Sequence, residues 1–175
     1  MQQFLMEVQS KAFRMAEIAT QNQDDAMDIV QDAMINLVSK YSERPYAEWK
    51  PLFYRILQSK MTDFFRKRAV TRKIFFWKQF NSDPHHSDLH QTRDSFELGE
   101  HELTPDRQLS GERDLADVVE QLKRLPYRQQ QCFMLRSWEG LSVSETAKVM
   151  GCSEGSVKTH YSRARQTLAG ALTTE

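Results

Sequence analysis

The sequence predicts an all-α fold: two small helical domains joined by a flexible acidic linker. Three observations carry this reading. Apolar residues recur three and four apart over most of the chain, the spacing of one helix face. No stretch reads as a pair of alternating strands. Helical patterning lapses over residues 79–111, a polar and acidic stretch with two prolines, two glycines and no sustained period. The expected domains are therefore 1–78 and 112–175, with 79–111 between them.

In the first domain, Phe4, Leu5, Val8, Ala12, Met15 and Ala19 make one apolar stripe and so one helix. Ala26, Ile29, Val30, Ala33, Leu37 and Val38 make a second, with Asn22 or Asp24 as its cap. "RPYAEWKPLFYRILQSKMTDFFRKR" reads as a turn and then a long third helix. Pro51 is expected in its first turn, where a missing N–H costs nothing. Patterning resumes at Glu112 with Leu115, Val118, Val119, Leu122 and Leu125, and Pro126 breaks it.

Composition removes several classes of function. No run approaches the roughly 20 apolar residues a spanning helix needs. "MQQFLMEVQSK" has acidic and polar residues where a signal peptide has a basic start and an apolar block. The protein is expected in the cytoplasm. Cys132 and Cys152 have neither metal-like nor redox-like spacing and read as plain thiols. No catalytic set, cofactor site or metal site is expected. The net charge is zero, but its distribution is uneven: residues 1–78 hold 13 Lys/Arg and 9 Asp/Glu, and residues 79–111 hold 2 and 7. The acidic middle conceals a basic first part, so nucleic acid stays among the partners.

The stretch "SETAKVMGCSEGSVKTHYSRAR" concentrates the chemistry of the C-terminal part. Ser142 and Glu145 have capping-box spacing and start a short helix. Gly151 ends it through a positive φ, and Ser153 caps the next. In that second helix Val157, Tyr161, Ala164 and Leu168 recur at 4, 3 and 4 and face inward. Ser156, Thr159, His160 and Arg163 form the outer row, and Lys158, Ser162 and Arg165 a neighbouring one. Two helices across a tight turn, the second polar and basic outside, make a helix-turn-helix, whose second helix enters the DNA major groove. Its N-terminal outer residues would reach base edges, and Arg and Lys further along would hold phosphates.

Two features of the first domain narrow the choice. Residues 66–78 carry six Lys/Arg and no acid. Phe64, Phe65, Phe75, Phe76 and Trp77 lie within or beside them. Basic residues interleaved with aromatics suit single-stranded nucleic acid, although any single Phe here fits a core position better. The second helix is acidic instead. Asp24, Asp25, Asp28 and Asp32 repel DNA, so their face meets water or a basic protein surface.

These residues resemble the extracytoplasmic-function sigma factors of bacterial RNA polymerase, in the sigma-70 superfamily. "DAMDIVQDAMINLVSKY" resembles the family's region 2.1–2.2, "PLFYRILQSKMTDFFRKR" its segment ending D-x-x-R-R, and "LKRLPYRQQQCFMLRSWEGLSVSETAKVMGCSEGSVKTHYSRARQTL" its region 4. The resemblance implies that Asp28, Gln31 and Asp32 bind the clamp helices of the β′ subunit of core RNA polymerase. It implies that the third helix and its preceding loop capture the −10 promoter element as the duplex opens, with Tyr54, Arg55, Ser59, Lys60, Asp63, Arg66, Lys67 and Arg68 as the residues involved. The C-terminal domain would read the −35 element through Ser156, Lys158, Thr159, His160, Ser162, Arg163 and Arg165 and lean on the β flap. The linker would thread toward the RNA exit channel, its acidity imitating nucleic acid. An anti-sigma factor is a further candidate partner. Ser59 stands where the family often has Asn, Leu52 where it often has Trp, Thr159 where Ser is usual and His160 where Arg is usual. These departures bear on which promoter is read. The resemblance also implies a late start, with the usual opening helix short or missing.

Two other classes are weighed against this one. A stand-alone helix-turn-helix regulator explains the C-terminal motif but leaves the basic-aromatic cluster and the acidic helix without a role. A metal site built from His85, His86, His90 and His101 would sit in a polar stretch with no rigid support for its ligands.

Overall fold

The computed structural model describes the backbone of residues 1–80 and 110–172, and side chains over 1–70 and 117–170. The described residues form seven helices and no strand: α1 (Gln2–Thr20), α2 (Gln23–Tyr41), α3 (Tyr46–Phe80), α4 (Ser110–Arg124), α5 (Tyr127–Ser137), α6 (Val143–Met150) and α7 (Glu154–Leu172). The linker expected over 79–111 loses two residues to a helix at each end, and the rest of it lies outside the described residues. So do His85, His86, His90 and His101.

α1 is a helix of 19 residues. It ends at Gln21, whose φ of 55° is left-handed and whose N–H reaches the Glu17 carbonyl at 2.8 Å. Asn22 then caps α2: its side-chain oxygen accepts from the Asp25 N–H at 2.9 Å. Asp24 and Asp25 sit in that first turn, where the exposed N–H groups favour negative charge. α1 and α2 bury Ala12, Ala16, Ala19, Ala26 and Ala33, small residues that let the helix axes approach. Val38, expected in the core, is exposed.

α3 begins at Tyr46, so Pro51 is its sixth residue and lies beyond the first turn expected for it. A proline there removes one backbone donor inside the helix. Phe53, Tyr54, Leu57 and Met61 are fully buried along one side of α3. Phe4 sets its ring edge-on to those of Tyr46 and Phe53, at 6.1 and 6.2 Å between centroids.

In the C-terminal half, α5, α6 and α7 enclose Cys132, Met134, Leu135, Leu141, Ala147, Val149, Val157, Ala164 and Leu168, and α4 adds Leu122. Pro126 is the N-cap of α5, as the break after Leu125 predicts. The capping box of α6 is complete, with Ser142 and Glu145 exchanging bonds of 2.7 and 3.1 Å.

The two halves touch. α3 packs on α6, and α1 packs on α4 and α5. Much of this contact is polar. The Gln58 amide donates to Gln131 Oε1 at 2.6 Å, and the Tyr127 hydroxyl donates to Gln58 Oε1 at 3.1 Å. Gln131 donates on to Gln130 Oε1 at 3.0 Å, and Gln130 to the Leu122 carbonyl at 3.0 Å. Phe65 meets the Tyr127 ring edge-on at 5.3 Å.

Candidate nucleic-acid interface

α6, the Gly151 turn and α7 form the helix-turn-helix. Gly151 has φ 62° and nothing within 4 Å of where a Cβ would stand. Its requirement is conformational rather than spatial. The Cys152 N–H returns to the Ala147 carbonyl at 3.1 Å and closes the turn. Arg128, from the start of α5, donates to the Met150 carbonyl at 2.8 Å and ties that end of α6 down. The Arg136 guanidinium donates to the Leu141 carbonyl just before α6. Cys132 is buried and donates to the Val157 carbonyl at 3.4 Å, and burial pushes its thiol up to about 11. It is a packing residue, inert at neutral pH.

α7 presents its two faces as predicted. Val157, Ala164 and Leu168 are buried. Tyr161 stacks on Phe133 at 6.0 Å, with Ser137 and Tyr161 sharing a hydroxyl contact of 3.1 Å. Lys158, Thr159, Ser162, Arg163 and Arg165 are exposed. Arg165 lies 6.0 Å over the Tyr161 ring, so its charge is steadied against the protein. Two residues of the expected outer row are less free. Ser156 gives its N–H to the Ser153 cap at 3.1 Å and shares a 2.9 Å hydroxyl contact with it. His160 is half-buried, and its Nδ1 is enclosed without a partner. Burial, then the positive charges of Arg128 and Arg163, hold the imidazole below its usual range. Arg128 thus belongs to the same basic surface, although it lies on another helix. Sequence spacing could not place it there, because only the fold brings the start of α5 beside α7.

The residues expected at the −10 element divide. Arg55 and Ser59 are exposed, as are Arg66, Lys67 and Arg68 further along α3. Lys60 is half-buried and its Nζ lies 2.9 Å from Asp32 Oδ2. Asp63 is half-buried and pairs with Arg66 at 3.2 Å. Tyr54 departs from the expectation: it is fully buried and faces Glu139 of the other half. Burial, with the Glu139 carboxylate beside it, drives its phenol far above the ordinary range. DNA cannot reach Tyr54 in this arrangement. Phe64 and Phe65 are half-buried against the core, as expected of single aromatics there. The side chains of Phe75, Phe76 and Trp77 lie outside the described residues.

Asp28, Gln31 and Asp32 share one exposed face of α2. Ile35, one further step along the same face, is 65% exposed, and Met27 and Val38 are exposed beside it. The face is therefore acidic and apolar together, a mixture that suits protein better than water.

Described residues that are all helical, with a helix-turn-helix whose second helix exposes a basic face, define a DNA-binding protein of the helix-turn-helix class. Residues 115–168 match the family described as Sigma-70, region 4. SigV, an RNA polymerase sigma factor of Bacillus subtilis, is 30% identical over 93% of this chain and 85% of its own length. BldN, an ECF RNA polymerase sigma factor of Streptomyces coelicolor, is 40% identical over 46% of this chain, a match spanning 31% of BldN. The chain belongs to the sigma-70 family of RNA polymerase sigma factors, in its ECF branch, and is an alternative sigma factor of transcription initiation. Its fold resembles that of RpoE from Bartonella quintana, solved with the anti-sigma factor NepR, at a TM-score of 0.65 and 23% identity. That likeness covers 100% of this chain and 99% of RpoE. CnrH, solved with the cytosolic domain of CnrY, gives 0.59 and 20% over 99% of this chain and 87% of CnrH.

Proposed function

We propose that this sigma factor divides its work between its two helical domains, residues 1–78 and 112–175. The acidic-apolar face of α2, with Asp28, Gln31 and Asp32, docks on the clamp helices of the β′ subunit of core RNA polymerase. Arg55, Ser59, Lys60, Asp63, Arg66, Lys67 and Arg68 on α3 hold the −10 element as its strands separate. Lys158, Thr159, Ser162, Arg163 and Arg165 on α7 read and grip the −35 element, and Ser156 and His160 shape the near edge of that surface. The C-terminal domain also leans on the β flap.

The exposed outer face of α7, set on a complete capping box and a left-handed glycine turn, carries this reading. The protein works by binding: it positions polymerase and traps unpaired bases, whose unstacking costs a few kcal/mol each. No cofactor enters the scheme. The described residues contain no helix long and apolar enough to cross a membrane, which supports action in the cytoplasm beside polymerase. An anti-sigma protein is the proposed regulator, supported by the two fold neighbours solved with one.

The test is run-off transcription with purified core polymerase and fragments from upstream of the chain's own gene. Discrete transcripts that require the chain are expected. Absence of any binding to core polymerase would overturn the reading.

A further inference from the structure

Glu154 is the one acidic residue of α7, and it stands first in that helix. It is exposed and makes no hydrogen bond or ion pair among the described residues. Two cations nearby leave it unpaired. Lys158 lies one turn further along α7, at a spacing that allows an ion pair. Lys148 of α6 lines the same open groove across the turn as Glu154 does. The helix does not need this carboxylate as a cap either. Ser153 fills that place: its hydroxyl accepts from the Ser156 N–H at 3.1 Å, and its carbonyl from the Val157 N–H at 3.1 Å. The contrast is with Glu145, whose carboxylate the Ser142 N–H engages at 2.7 Å in the capping box of α6.

Gly155, the next residue, points the same way. It is exposed, and a Cβ there would meet only the Ser153 hydroxyl, at 3.8 Å, an ordinary contact. Nothing inside the protein requires glycine at this place, and glycine is the less stable choice in a helix. Its missing side chain leaves a bare strip beside Glu154, along which another molecule can come close.

We propose that Glu154 is a specificity-determining residue for the −35 element: its carboxylate accepts from the N4 amino group of a cytosine at one position and repels guanine and thymine there. The proposal rests on the sigma-factor reading above, with the N-terminal end of α7 at the base edges. A carboxylate only accepts hydrogen bonds. In the major groove the amino groups of cytosine and adenine donate, whereas guanine O6 and N7, thymine O4 and adenine N7 accept. Adenine sets its acceptor beside its donor, which suits an amide better than a carboxylate. Cytosine offers its donor with no acceptor on the same base edge.

The same charge acts against the phosphates of any duplex. Glu154 therefore weakens the hold on every sequence, and weakens it most on those that meet it with an acceptor. Its effect is opposite in sign to that of Lys158, Arg163 and Arg165, which strengthen the grip.

The test uses holoenzyme assembled from core polymerase and the full chain. Its DNA is the promoter that run-off transcription maps, with the −35 element randomised, and the bound duplexes are sequenced. Wild type is expected to show one position at which cytosine is preferred over guanine by about tenfold or more. Glu154→Ala should bring that ratio to within about threefold, leave the other positions as they are, and bind the pool as a whole more tightly at low salt. Glu154→Gln should move the preference at the same position from cytosine toward adenine, the base that an amide meets at two points. No cytosine-preferring position in wild type, or one that both variants keep, would overturn the proposal. So would variants that lose affinity for all sequences alike, because that is the mark of an acid that only supports the start of a helix. A wild-type chain that fails to bind core polymerase would remove the sigma-factor reading instead. Selection by the full chain alone from a random duplex pool then still decides whether Glu154 sets a base preference.

Discussion

Lys60 and Asp32 face each other across the α2–α3 contact, Nζ to Oδ2 at 2.9 Å, and so join the proposed −10 surface to the proposed polymerase surface. Asp32 is well exposed and the pair is open to solvent, which limits its contribution to folding to at most about 1 kcal/mol. Charge reversal at Asp28 and Asp32 is therefore expected to leave the melting temperature within a few degrees of wild type. It is expected to weaken core-polymerase binding by tenfold or more. Equilibrium binding beside a thermal melt separates the two effects, and unchanged core affinity would remove this face from the scheme.

On α7, Lys158→Ala and Arg163→Ala are each expected to weaken promoter binding. About 1–2 kcal/mol, or five- to thirtyfold, is the ordinary scale for one such contact. Each loss should also lower the slope of log affinity against log salt by about one where the residue meets a phosphate. Binding to core polymerase should not change. Titrations at several salt concentrations check both halves of the expectation, and normal promoter binding by both variants would place the DNA-reading face elsewhere.

His160 is expected to make promoter affinity dependent on pH. Its imidazole is held below the usual range, so it is neutral at pH 7. In the free protein, protonation opposes the folded state: between the depressed folded value and the unfolded value of about 6.5, the unfolded chain binds more protons. Its contribution to stability is therefore full above about pH 6.5 and is lost as pH falls. Phosphates beside the proposed DNA surface would act in the opposite direction and favour the imidazolium, so DNA binding is expected to take up a proton. Promoter affinity measured from pH 7.5 to 5.5 should strengthen more steeply in wild type than in His160→Gln. Parallel pH profiles would show that His160 stands clear of DNA.

The start of α6 offers a stability test without a binding partner. Ser142→Ala removes the acceptor for the Glu145 N–H at 3.1 Å, and such caps are worth about 1 kcal/mol. The Ser142 hydroxyl and N–H together hold the Glu145 carboxyl below its usual range. Lower folded than unfolded, that group contributes stability above about pH 4.3 and loses it as pH falls through the folded value. Chemical denaturation at pH 7 should show a loss of about 1 kcal/mol, with less difference between variant and wild type at pH 3.

Local patterns were legible where one helix decides its own fate. The capping box, the Gly151 turn and the buried stripe of α7 all follow from spacing, because each depends on residues within a turn or two. Pro51 falls just past the first turn expected for it because Tyr46 starts α3 without any marked cap. Val38 was assigned to the core because it follows Leu37 in an apolar run, but it lies round the helix on the side of exposed Ile35, while Leu37 and Tyr41 meet the core. Tyr54 resembles a DNA contact in its motif, but the fold buries it against Phe53 and brings Glu139, 85 positions away, beside it. Gln58, Gln131 and Arg128 carried no signal for the same reason. Glutamine on a helix reads as surface until the fold supplies a second amide opposite it.

α1, α2 and α3 pack in chain order and are all encoded before residue 81. Helices with such local partners assemble within microseconds to milliseconds, whereas the ribosome needs roughly 5–20 s to add the residues that follow. During synthesis, the side of α3 that carries Tyr54 and Gln58 is thus complete and bare, with no α5 yet made to cover it. Each new molecule passes through an interval in which that surface can be met by another protein first, and the order of synthesis sets which encounter comes first.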